Sequence, residues 1–138
     1  GVNMLKSLQS FLGVLSQPES HQDEREATIE LMIMTMYVDK SLKLAEDDVI
    51  KQYLSNITWE SPLTIEQYLG KATARVRATL SDAEKRKTLL EEINTKFSSR
   101  EVKQQALKAC HNLAAADGDL ISEEKEFLDT VAQVFQVG

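Results

Sequence analysis

Cysteine is almost missing from this 138-residue chain, where Cys110 stands alone. A lone thiol excludes an intramolecular disulfide and a thiolate-rich zinc site, and it fits a reducing compartment. Turn residues are scarce too, with two prolines and five glycines. Strand-rich folds need more of them, and β-branched alternation is absent, so the composition points to an all-α fold. Positive charge is in deficit: 16 basic against 22 acidic residues give a net charge of −6. That balance excludes a nucleic-acid binder relying on overall positive charge, and it leaves carboxylates free for cations. No apolar run reaches transmembrane length. The N-terminal stretch Met4-Leu5…Phe11-Leu12…Val14-Leu15 is broken by Ser7, Gln9 and Ser10 and lacks a small-x-small cleavage site. It reads as a helix rather than a signal peptide.

What is present suits a single helical domain. Hydrophobic residues make up 42% of the chain, enough for a real core. Apolar residues at helical spacing give a first helix over about 3–16, with Leu5, Leu8, Phe11, Leu12 and Leu15 on one face. A break at Gln17-Pro18-Glu19-Ser20 follows. The next helix, roughly 21–39, is apolar nearly all round from Ile29 to Val38, which marks it as the central, buried one. A third starts near Glu46-Asp47-Asp48, with Val49, Ile50, Tyr53, Leu54 and Ile57 as its stripe. After a loop at Trp59-Glu60-Ser61-Pro62, three capping boxes open further helices: Thr64-x-x-Gln67, Ser81-x-x-Glu84 and Ser98-x-x-Glu101. These run to about residue 80, to Phe97 and to Asp117. Ser122 is expected to cap the last helix, with Phe127, Leu128, Val131, Val134 and Phe135 inward. The expectation is a compact single-domain bundle of about seven helices. Residues 1–20 form its N-terminal helix and break, and 21–138 its main body.

One feature repeats. Val38-Asp39-Lys40-Ser41-Leu42-Lys43-Leu44-Ala45-Glu46 and Ala116-Asp117-Gly118-Asp119-Leu120-Ile121-Ser122-Glu123-Glu124 align without a gap. Asp39 falls on Asp117, Leu42 on Leu120 and Glu46 on Glu124. Each turn ends one apolar helical run and opens another, so the chain carries two related acidic hairpins, about 29–57 and 107–135. Neither turn is a calcium-binding EF-hand loop. With Gly118 at the sixth loop position, positions one, three and five fall on Leu113, Ala115 and Asp117, and two of these cannot ligate. The first copy fails likewise, with Thr35, Tyr37 and Asp39.

Together the turns offer Asp39, Glu46, Asp117 and Glu124 as carboxylate ligands. Asp119 and Glu123 are second choices, and Asp48 is a further outer candidate. Such a set suits a hard divalent cation, calcium or magnesium rather than zinc. The competing reading is helix punctuation. Asp117-Gly118 has the form of a helix end, and Glu46-Asp47-Asp48 and Glu123-Glu124 sit where acids favour a helix dipole. The sequence leaves both readings open.

The stretch from Leu113 to Leu128, with Ala116-Asp117-Gly118-Asp119 and the Glu123-Glu124 helix start, resembles the signature of the TerB-like tellurite-resistance family. Met36-Tyr37-Val38-Asp39 with Glu46 is similar to that family's first acidic motif, although Lys40 departs from the small residue often found there. The resemblance covers about 22–136. It implies a bacterial, cytoplasmic, all-helical, stress-associated domain with a proposed acidic metal site and no defined enzymatic activity. Direct contact between those carboxylates and the tellurite oxyanion is opposed by charge.

Other chemistry is thin. Cys110 and His111 are adjacent on a helix and point about 100° apart, so they make no catalytic pair. Met32, Met34 and Met36 do not all three share one helix face, so they make no chelate and read as core. Lys71, Arg75, Arg77, Lys85, Arg86 and Lys87 form a basic cluster with no interleaved aromatics, which reads as a solvated face paired with Asp82, Glu84, Glu91 and Glu92. The leading function is therefore a non-enzymatic, TerB-like domain that binds a divalent cation and acts through a protein partner. The alternative is a metal-free interaction module, docking or forming a homodimer through the 3–16 helix, or docking through the basic face. A metal-assisted hydrolase is the third reading.

Overall fold

A computed structural model describes residues 13–14, 21–38, 59–115 and 120–137. Five helices are present among them: α1 Gln22–Val38, α2 Ile65–Arg77, α3 Ala83–Lys96, α4 Arg100–Ala114 and α5 Ser122–Phe135. The all-α class holds, and the described residues contain no strand. Five helices, not the expected seven, stand among the described residues. Of the expected 3–16 helix only Gly13 and Val14 are described, both helical, and the helix expected from Glu46 lies outside the described residues.

α1 is the hub. Every residue from Ala27 to Met36 is buried, and α2, α3, α4 and α5 each pack against it. A 17-residue helix with apolar side chains on all sides has no solvent face to satisfy, so the other helices must surround it. Met32, Met34 and Met36 are all 2% exposed and fill this centre, as the helical spacing predicts. α5 also packs on α3 and α4, which closes the bundle. Its inward stripe is Phe127, Leu128, Val131 and Phe135, and Phe135 meets Phe97 edge-on with ring centroids 5.7 Å apart.

The helix starts show where local sequence reading slipped by one residue. Thr64 caps α2 as expected: its hydroxyl accepts the Gln67 N–H at 3.1 Å, and the Gln67 side chain accepts the Thr64 N–H at 2.9 Å. For α3 the cap is Asp82 rather than Ser81, with Oδ1 accepting from the Glu84 and Lys85 amides. For α4 it is Ser99 rather than Ser98. Asp82 and Ser99 both have the extended backbone that aims a side-chain oxygen into the first turn, and each competes with the serine before it. Ser122 does not cap α5. It is the first helical residue, the cap position is Ile121, and the Glu124 carboxylate reaches back to the Ile121 N–H at 2.9 Å.

Candidate functional site

The carboxylates singled out from the sequence divide between described and undescribed residues. Asp39, Glu46, Asp117, Asp119 and the outer Asp48 lie outside the described residues. Glu123 and Glu124 are described, in the first turn of α5. Glu124 is 4% exposed, and its Oε1 is committed to the helix start through Ile121. Glu123 is exposed. Among the described residues, no group of three or more His, Cys, Asp or Glu side chains is placed to hold a metal ion.

The fold nevertheless brings the end of α1, which leads into the first acidic turn, and the start of α5, which closes the second, to one place. A cavity of about 560 Å³ is lined by Tyr37 and Val38, the last two residues of α1, and by Glu123 at the start of α5. Val38 immediately precedes Asp39, and Glu123 immediately precedes Glu124. The remaining walls come from α3, with Arg86, Lys87 and Leu90, from the α2–α3 corner at Leu80, and from Glu126 and Phe127 of α5. Leu80 is 41% exposed, one of two large apolar side chains left so open among the described residues.

The buried polar chemistry lies elsewhere, and the sequence reading missed it. Glu30 sits inside the apolar run of α1 at 1% exposure. Arg75 of α2 donates to its Oε1 at 2.7 Å, and the Tyr68 hydroxyl donates to the same oxygen at 2.9 Å. The other guanidinium nitrogen of Arg75 bonds Glu92 of α3 at 2.7 Å. A chain of charge thus ties α1, α2 and α3 together. Burial and the nearby Glu30 carboxylate push the Tyr68 phenol well above its ordinary range. Arg75 pairs with Glu92 as the basic-face reading expects, but its second bond, to the buried Glu30, takes it out of a purely solvated face. The available signal was Glu30 itself, since a carboxylate flanked by Ile29 and Leu31 in a buried helix requires a partner.

Cys110 is fully buried on α4, with its Sγ 3.3 Å from Thr35 Oγ1. Burial pushes the thiol up to about 12, partly offset by the Thr35 hydroxyl. His111, its sequence neighbour, is exposed, so the two share no site. A raised folded-state value means that stability is intact below the unfolded value of 9.0 and is lost as pH rises toward 12. Tyr68 acts in the same direction. The native thiol is expected to resist iodoacetamide at pH 8 and to react on unfolding. Urea titrations between pH 9 and 11 should show Cys110→Ala losing less stability than the parent, by about 1.4 kcal/mol per pH unit. Equal slopes would mean that the thiol does not titrate with unfolding.

No helix among the described residues is long and apolar enough to cross a membrane. No curated protein and no solved structure matches the chain. Residues 25–138 match the family model described as tellurite resistance protein TerB, a span that takes in α2 to α5 whole and all but the first residues of α1, and the chain belongs to the TerB family.

Proposed function

We propose that this tellurite-resistance-associated domain is a non-enzymatic cation-binding module that acts through a protein partner. A divalent cation, calcium or magnesium before zinc, would be held between the two acidic turns. Asp39, Glu46, Asp117 and Glu124 would supply the carboxylates, with Asp119 and Glu123 as second choices. The observation that carries the reading is the shared cavity: Val38, next to Asp39, and Glu123, next to Glu124, line the same space. Carboxylates from the two turns would repel one another if they converge beside this cavity, and a hard cation would relieve that repulsion. Glu124 supports the reading less strongly, because one of its oxygens already holds the α5 start.

The test is thermal unfolding of chelator-treated protein titrated with calcium, magnesium, manganese and zinc. A cation bound only by the folded state raises Tm in a saturable way. A rise of several degrees for one ion is expected, and the Asp39→Asn, Asp117→Asn double variant should lose the rise while keeping its helical circular dichroism. An unchanged Tm for all four ions would return the acidic turns to helix punctuation. A rise that survives in the double variant would move the cation to another site.

A further inference from the structure

The cavity between α3 and α5 has walls of opposite charge that do not neutralise each other. Arg86 and Lys87 line it from α3, and Glu123 and Glu126 from α5. None of these four side chains forms an ion pair among the described residues. Arg86 is half-buried, and its Nε is enclosed with no hydrogen-bond partner among the described residues. Between the walls the floor is apolar, built on the buried Leu90 and Phe127. At about 560 Å³ the space falls within the range of about 300–1,000 Å³ usual for small-molecule sites.

We propose that this cavity binds a small zwitterion with an apolar body, of the chemical class of an apolar amino acid or dipeptide. The carboxylate faces Arg86 and Lys87, the ammonium faces Glu123 and Glu126, and the apolar side chains cover Leu90 and Phe127. Charge complementarity selects this class. A simple anion is drawn to the α3 wall and repelled by the α5 wall, and a simple cation meets the reverse. A molecule carrying both charges at its two ends satisfies both walls and supplies the guanidinium with the acceptor it lacks. Partial enclosure by apolar side chains strengthens both contacts relative to open water. The site does not rest on the cation reading, and it is tested with chelator present so that the two stand or fall separately.

The probe is leucyl-leucine, titrated at millimolar concentrations into the isotope-labelled 138-residue chain and followed by amide chemical shifts. Saturable shifts are expected at Arg86, Leu90, Glu126 and Phe127. N-acetyl-leucyl-leucine, which lacks the ammonium, and leucyl-leucinamide, which lacks the carboxylate, should each bind about tenfold more weakly, the loss of one charged hydrogen bond. Arg86→Gln and Glu126→Gln touch exposed or half-buried groups and should leave the fold unchanged by circular dichroism. In Arg86→Gln the amide and the free acid should bind equally, and in Glu126→Gln the acetylated and free dipeptides should. No saturable shift in the parent protein overturns the proposal. So does equal binding of the blocked and free dipeptides, or discrimination that persists in both variants.

Discussion

Arg75→Leu is expected to destabilise the domain by about 3 kcal/mol, measured as a lower urea midpoint at unchanged slope. The loss arises at Glu30, not at Arg75. With the guanidinium gone, a carboxylate at 1% exposure keeps only the Tyr68 hydroxyl on Oε1, and its Oε2 already has no hydrogen-bond partner among the described residues. A buried charge stripped of its counter-ion is among the few changes that remove several kcal/mol at once. The figure sits at the low end for such pairs because the Arg75 side chain is 37% exposed, so water already screens part of the attraction. The Glu92 half of the bridge adds little, since Glu92 is 54% exposed. Glu30→Gln keeps the shape and the Tyr68 contact, and should lose only about 1 kcal/mol. Combined with Arg75→Leu it should recover part of the single-variant loss, because no buried charge then remains. A loss below about 1 kcal/mol for Arg75→Leu alone would show that water reaches Glu30 and replaces the guanidinium.

Leu31→Ala should have an effect of similar size by a different route. Leu31 is fully buried at the middle of α1, against which four helices pack. Removing its branched end loses transfer free energy and leaves a cavity that four helices cannot all collapse to fill, so about 3–4 kcal/mol is expected. Against a total stability of about 5–15 kcal/mol that is a large share, and Tm should fall by on the order of 10 °C. Ile121→Ala is the control. Ile121 is 43% exposed at the start of α5, and its truncation should stay within about 0.5 kcal/mol. Matching losses at the two positions would refute the central placement of α1.

The hub was legible because its signal is one of composition along a single segment. A run such as Ile29 to Val38, apolar on every side, is buried wherever it lies, and no knowledge of its neighbours is needed. The methionines follow from the same argument. Cap residues were less legible, because neighbouring candidates compete and the winner depends on backbone angles set by the preceding loop. Asp82 displaced Ser81 and Ser99 displaced Ser98 on those grounds. The Glu30–Arg75 pair was not foreseen for a further reason. The partners stand 45 residues apart, and only the packing of α2 on α1 joins them. The cavity was legible only in part. The alignment of the two acidic turns predicted that their ends matter together, whereas the charged walls from α3 and α5 depend on which helices become neighbours.

The burial of α1 on all sides bears on how the domain opens. Its amides between Ala27 and Met36 are shielded by four other helices, so no local fraying exposes them to solvent. Hydrogen exchange there requires the surrounding helices to come away together, which makes α1 a reporter of global unfolding. A ligand that binds anywhere on the folded domain slows exchange along α1 by its full binding free energy, including one at the cavity where the helix ends. The middle of this enclosed helix is thus where occupancy at its edge can be read.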